Sequence, residues 1–295
     1  MRFQEWIEGR WAIKVGLWIG QHTSRRFGYA FSRSIADGIT SFRPEVYWRV
    51  RDNLRHVLSP ELDPAALHAA VRQVFVHAGE TYYDFFHAIG QPPQALARAV
   101  HIAPSLLALL QSERKAGRGV VLYGVHMSNF DLGILALGAH GLSAQLLSLG
   151  GRHDGFALLN DLRERHGLEV TVIGPQALRQ AVRRLRAGGL VMTGADRPVP
   201  GDGDDLVPFF GRPARLPLGP ARLALLTDAT VLLGACHRDP GADYVLDVTG
   251  PIEMVRTGDR TADILASARR LAEVMEVYVR ARPVQWMMFH RLWPD

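Results

Sequence analysis

Hydrophobic positions over the first ninety residues recur with a helical period. In 44–58, Val46, Val50, Leu54 and Val57 share one side behind a proline at the first turn, which predicts a helix. Residues 64–89 continue it, with Leu67, Val71, Val74, Ala78, Tyr82, Phe85 and Ile89 inward. The pattern stays helical to about residue 115, broken at Gln91-Pro92-Pro93. From Gly119 it changes. Val120 to Val125 is a continuous apolar run, as expected of a parallel strand covered on both faces, and Leu132 to Leu137 begins an apolar helix. Further strands are predicted over 144–149, 168–173, 190–193, 230–235 and 244–249, and helices over 154–166, 177–187, 219–228 and 261–282. The helix at 177–187 turns Leu178, Ala181, Val182 and Leu185 inward and Arg179, Arg183, Arg184 and Arg186 outward, and Gly188-Gly189 closes it. Strands alternating with helices predict an α/β fold, a mostly parallel central sheet flanked by helices, behind an N-terminal all-helical region. The two parts divide as a membrane-facing helical region over 1–115 and an α/β core over 116–295, folding as one continuous unit.

Charge adds a partner to this picture. Residues 1–55 hold ten Lys/Arg against five Asp/Glu, which accounts for the whole formal charge of +5 on the 295-residue chain. Four of the six tryptophans (Trp6, Trp11, Trp18 and Trp48) lie in the same stretch. Cations mixed with Trp suit an anionic membrane surface. Nucleic acid is the competing partner, but no nucleic-acid-binding motif is present, so none is expected. The apolar stretch Val15 to Gly20 is far short of the roughly 20 residues a membrane span needs. Ile7, Trp11, Val15 and Trp18 share a helical face with Lys14 intruding. Interfacial docking and packing on the chain's own domain both fit that face. The single cysteine, Cys236, sits in the apolar run TVLLGAC and reads as a buried hydrophobe rather than a nucleophile.

Candidate chemistry concentrates in the polar insertion His126-Met127-Ser128-Asn129-Phe130-Asp131, at the carboxyl end of the first core strand. Open α/β sheets place their sites there. His126 and Asp131 diverge by about 140° if both are mid-helix. They meet if His126 is still in the loop and Asp131 lies in the first helical turn, with Ser128 or Asn129 as N-cap. A carboxylate on one imidazole nitrogen would leave the other free to deprotonate a substrate hydroxyl, and N–H groups at the helix start could hold an oxyanion. The pattern alone also fits a capping loop with a surface histidine. On 64–89, His77, Glu80, Asp84 and His87 recur at spacings of three, four and three. A solvated face or the flank of a substrate groove fits them better than a metal site, since a second ligand-bearing helix is lacking. Gly201-x-Gly203 is not a nucleotide fingerprint, and no CxxC, HExxH, Walker loop or GxSxG elbow occurs.

Taken in order, these segments resemble the bacterial late acyltransferases of lipid A biosynthesis and the related phosphatidylinositol mannoside acyltransferases, from about residue 45 to 293. The resemblance lies in His126 to Asp131, Leu162 to Glu169, Leu185 to Gly189, Asp196 ahead of a loop, Val207 to Ala214, Pro217 to Ala221, Gln285-Trp286 and His290-Arg291. The shared H-x4-D pattern extends more distantly to glycerolphosphate acyltransferases, whose fold is implied for the core. The family implies acyl transfer from an acyl carrier protein or coenzyme A thioester to a hydroxyl of a glycolipid or lipid. The thioester is a substrate, and no metal or other cofactor is implied. The implied place is the cytoplasmic face of the bacterial inner membrane, peripheral or monotopic. By the matching motif His126 would be general base and Asp131 its orienting carboxylate, with Ser128 and Asn129 shaping the substrate site. Asp196 and Arg197 match a polar turn beside the site, and Arg152 follows the second core strand. An arginine there would bind the donor's phosphate, bind the oxyanion, or be a solvated charge. Phe209 and Phe210 would wall the acyl groove, with core packing as the alternative. Ser128, Phe130 and Asp131 stand where the lipid A branch more often carries Gly, Trp and Glu, so the acceptor stays open between a lipid A precursor and another glycolipid. A non-catalytic carrier- or lipid-binding protein, its Arg179–Arg186 helix docking an acidic carrier, is the reading from another class. A hydrolase is the third.

Overall fold

The computed structural model describes residues 10–58, 61–149, 154–199 and 205–294. Four helices come first: α1 (Arg10–His22), α2 (Arg25–Phe42), α3 (Glu45–Val57) and α4 (Pro64–Ala88). Local chemistry fixes their ends. Ser24 caps α2, and Asp63 caps α4 by accepting from the Ala65 and Ala66 N–H groups ahead of a first-turn proline. The α2 and α4 helices cross closely because each brings a glycine to the crossing: a Cβ on Gly28 would lie 2.1 Å from the Tyr83 ring, and one on Gly79 would lie 2.7 Å from Ser32 Cβ.

The chain continues through α5 (Pro93–Ala99), β1 (Val100–Ile102), α6 (Pro104–Lys115), β2 (Val120–Val125), α7 (Phe130–Ala139), β3 (Ala144–Ser148), α8 (Asp154–Arg165), β4 (Glu169–Val172), α9 (Pro175–Arg186) and β5 (Leu190–Gly194). A small hairpin of β6 (Val207–Phe209) and β7 (Arg212–Ala214) follows, then α10 (Gly219–Thr227), β8 (Thr230–Arg238), β9 (Tyr244–Thr249) and α11 (Arg260–Ala281). Seven strands form one sheet in the order β1-β9-β8-β2-β5-β3-β4, parallel except for the antiparallel pair β8–β9. The α/β class with a mostly parallel sheet and a helical N-terminal region is as the alternation predicts. One element departs from it. The stretch up to residue 115 is not all helical, because Val100–Ile102 pairs with β9 and joins the main sheet.

Strand β2 lies at the centre and its residues divide between two cores. Val121, Tyr123 and Val125 face one layer with Leu185, Ala224, Leu271 and Trp286, whereas Val120 and Leu122 face the other with Phe85, Leu132 and Leu135. Cover on both faces is why the strand reads as an unbroken apolar run. A third cluster joins α2, α3 and α4 through Ile39, Val50, Leu54 and Val74. Two positions assigned inward by periodicity are exposed: Tyr82 borders a cavity, and Leu178 faces out beside buried Ala177 and Ala181.

Candidate active site

Strand register brings the site together. β2 and β5 run parallel with Gly124 opposite Gly194, and the Ala195 N–H bonds the Gly124 carbonyl at 2.9 Å. Two residues past each glycine stand His126 and Asp196, side by side at the carboxyl ends of adjacent strands. His126 Nδ1 lies 2.6 Å from Asp196 Oδ1, and the His126 backbone N–H donates to Oδ2 at 3.0 Å. The Trp286 indole N–H also donates to Oδ2, at 2.9 Å. Burial works to raise the Asp196 pKa, but the His126 ring and these donors outweigh it and hold the carboxyl below the usual range. In the neutral ring the ionised carboxylate therefore keeps the proton on Nδ1 and leaves the Nε2 lone pair free. Gly194 makes room for the ring, since a Cβ there would meet His126 Cε1 at 2.7 Å.

This overturns the expected partner of His126. The loop has the anticipated shape: His126 precedes the helix, Asn129 caps α7 by accepting from the Leu132 N–H, and Asp131 lies in the first turn. Asp131 nevertheless faces α8. Both Arg163 Nε and Nη2 donate to its Oδ1, at 2.9 and 2.6 Å, in a pair buried on both sides. The carboxylate on the imidazole is Asp196, because parallel pairing places it two residues beyond the aligned glycines.

Ser128 and Asn129 build the loop and do not line the cavity. Ser128 is fully buried with φ +45° and its Oγ is 2.9 Å from His77 Nε2, while its N–H bonds the Gln285 carbonyl at 2.8 Å. Asn129 Nδ2 donates to the Thr81 carbonyl at 3.2 Å. His77 and Thr81 of α4 thus fasten the loop from one side, and the 285–287 segment fastens it from the other. Phe209 and Phe210 do not wall a groove. Phe209 is wholly buried between Trp286 and Trp293, and Phe210 lies under the Arg280 guanidinium. The β6–β7 hairpin carries both onto the sheet face opposite α7, where aromatic packing holds them. Arg152 lies outside the described residues.

His126 opens on a cavity of about 980 Å³, at the upper end of the roughly 300–1,000 Å³ of ligand sites. Along α7 and the sheet its walls are apolar, from Ile134, Leu137, Leu146, Leu159 and Leu246. Arg197, His290 and the Asp131–Arg163 pair add polar groups. Towards the N-terminal helices it is bordered by Trp11, Val15, Phe31, Ile35 and Phe42. The carboxylates of the α4 series are used elsewhere. Glu80 and Asp84 bind the buried Arg238 guanidinium, with Tyr29 and Tyr244 on Asp84. Among the described residues no cluster of three or more His, Cys, Asp or Glu is placed to hold a metal ion.

The site is thus an imidazole oriented by a buried carboxylate at the edge of a largely apolar cavity. The chain matches the family described as bacterial lipid A biosynthesis acyltransferase over residues 2–294, and it belongs to that family. Two curated relatives are the phosphatidylinositol mannoside acyltransferases of Mycobacterium tuberculosis strains CDC 1551 / Oshkosh and ATCC 25618 / H37Rv. Each is 27% identical over 251 residues, covering 83% of this chain and 76% of the relative.

Proposed function

We propose that this lipid acyltransferase is an O-acyltransferase that takes a fatty acyl group from an acyl carrier protein or coenzyme A thioester and places it on a hydroxyl of a glycolipid. The observation that carries this reading is the His126–Asp196 pair opening on the apolar cavity. His126 Nε2 removes the proton of the acceptor hydroxyl as its oxygen attacks the thioester carbonyl. The imidazolium so formed is stabilised by Asp196 and returns the proton to the departing thiolate. The acyl chain lies along the apolar wall beside α7. With purified protein, an acyl thioester and a mannosylated glycolipid, ester product forms, and His126→Ala lowers turnover by about 10²–10⁴. Full turnover in that variant would remove His126 from the chemistry.

The same reading places the enzyme at an anionic membrane surface, the inner face of the bacterial inner membrane. No described helix is long and apolar enough to cross a bilayer. Instead α1 and α2 expose Trp11 (79%), Trp18 (60%), Phe27 (53%) and Phe42 (88%), beside exposed Lys14, Arg25, Arg26 and Arg33. Among the described residues, Trp11, Val15 and Trp18 of the α1 face stay exposed. Each cation contributes about 1 kcal/mol near anionic lipid, and the apolar side chains enter the headgroup boundary. Phe31 and Phe42 border the cavity as well, so a lipid acceptor reaches His126 from the bilayer without crossing water. The protein is expected to co-sediment with vesicles containing phosphatidylglycerol and far less with pure phosphatidylcholine. Trp11→Glu combined with Trp18→Glu should release it at least tenfold. Equal sedimentation of the double variant would refute docking through α1.

A further inference from the structure

The strand below His126 carries a glycine that packing does not call for. Side chains alternate along β2, so Leu122, position 124 and His126 point to one side, towards α7 and the cavity. Gly124 is the one residue of β2 that is not buried, and it lines the cavity between the other two. Its partners in register on both adjoining strands are glycines as well, Gly194 on β5 and Gly234 on β8. Close contacts account for those two. A Cβ on Gly194 would meet the His126 ring at 2.7 Å, and one on Gly234 would meet Val248 Cγ2 at 3.1 Å and the Asp247 carbonyl at 3.2 Å. A Cβ on Gly124 would instead point into open space, its nearest neighbour being the Thr193 carbonyl oxygen at 4.0 Å.

The backbone does not require glycine there either. Gly124 has no left-handed φ, and unbroken register with β5 and β8 leaves no bulge at its position. In a central strand a β-branched residue is favoured, and glycine weakens the strand it interrupts. With bulge and close backbone excluded, such a glycine marks a place where a ligand approaches the main chain. The surroundings name the ligand's character. Leu122 and Met192, partners in register, form an apolar floor beside Gly124, and Leu146 extends that floor onto β3. The cavity therefore runs on past the imidazole and over β2, where any side chain at 124 would narrow it. Two residues of strand, about 6.6 Å, separate His126 from this point.

We propose that Gly124 is the residue that sets the acyl-chain length the enzyme accepts. Its missing side chain lets a long chain run from the thioester carbonyl beside His126 across β2 and onto Leu122 and Met192. The proposal rests on the acyl-transfer reading of the cavity. A butyryl chain ends before it reaches position 124, whereas a palmitoyl chain has to pass it.

The test compares palmitoyl-CoA and butyryl-CoA as donors to a mannosylated glycolipid, in the wild type and in Gly124→Val and Gly124→Leu. The ratio of kcat/KM for palmitoyl to that for butyryl should fall at least about a hundredfold in both variants, since each methylene kept out of the cavity forfeits about fourfold. Gly124→Ala adds a single methyl and should lower the ratio about fourfold, so it carries the comparison if the larger side chains prevent folding. The melting temperature of Gly124→Val should not fall, because a β-branched residue suits the strand. A merely structural effect would lower that temperature and slow both donors alike, leaving the ratio unchanged. If the acyl-transfer reading itself fails, seen as no transfer by the wild type, the fluorescence of bound cis-parinaric acid reads the same position without turnover. Its affinity should then fall at least about tenfold in Gly124→Leu, and unaltered affinity overturns the proposal. Where transfer does occur, a palmitoyl-to-butyryl ratio within twofold of wild type in the folded variants overturns it.

Discussion

Replacing Asp196 by Asn should lower turnover into the range of His126→Ala, by up to about 10⁴, while the melting temperature moves little. The argument is one of donors and acceptors. Asp196 Oδ2 accepts from two fixed N–H groups, the His126 backbone and the Trp286 indole, and Oδ1 faces His126 Nδ1. An asparagine has one oxygen to offer. That oxygen must meet the two N–H donors, which turns the amide NH2 towards His126 Nδ1. The ring then has to accept at Nδ1 and carry its proton on Nε2, so the nitrogen facing the cavity can no longer act as a base. The variant also lacks the charge that stabilises the imidazolium. Steady-state kinetics supply the rate, and 15N chemical shifts of the His126 ring report the tautomer. A purely structural role for Asp196 would leave those shifts unchanged. Wild-type shifts accompanied by near-wild-type turnover would refute the orienting role.

The local shape of the loop was legible in its residues, but the partner of His126 was not. Apolar periodicity located β2, α7 and β5, and cap preference narrowed the start of α7 to Ser128 or Asn129, of which Asn129 is the cap, with Asp131 in the first turn. Those are local properties, written in neighbouring residues. Which carboxylate meets His126 depends on β5 lying beside β2, a neighbour relation across seventy residues that periodicity does not encode. A signal was nevertheless present. Two strands each end in Gly-x-polar, as Gly124-Val125-His126 and Gly194-Ala195-Asp196, and parallel pairing in register makes the polar residues adjacent. Arg163 was visible as part of a motif but not as the occupant of Asp131, since its role depends on how α8 lies against α7. Position 128 shows the same limit. The resembling lipid A branch more often carries glycine there, and the left-handed φ of Ser128 supplies the reason, as glycine adopts that conformation without cost. Phe209 and Phe210 misled because apolar residues near a motif look alike whether they line a groove or fill a core. Only the course of the hairpin decides between the two.

The Asp131–Arg163 pair should behave in the opposite way to the His126–Asp196 pair. Asp131→Ala is expected to destabilise the fold by about 3–5 kcal/mol, because it strands a guanidinium buried beside the cavity. In a chain of this size that corresponds to a fall in melting temperature on the order of 10 °C. Arg163 is further tied to Asn160 by Nη1 at 2.8 Å, so the side chain is not free to swing towards solvent. Replacing both partners with apolar residues of similar volume, Asp131→Leu with Arg163→Met, should recover most of the loss, since no unpaired charge then remains. Calorimetric melting of the single and double variants measures this directly. If the pair only braces α7 against α8, activity returns with stability. If the double variant melts like the wild type yet transfers acyl groups at least tenfold more slowly, the pair also contributes polarity to the cavity, where both side chains border the same space as His126. A single Asp131→Ala variant as stable as wild type would show that the pair contributes nothing to the fold.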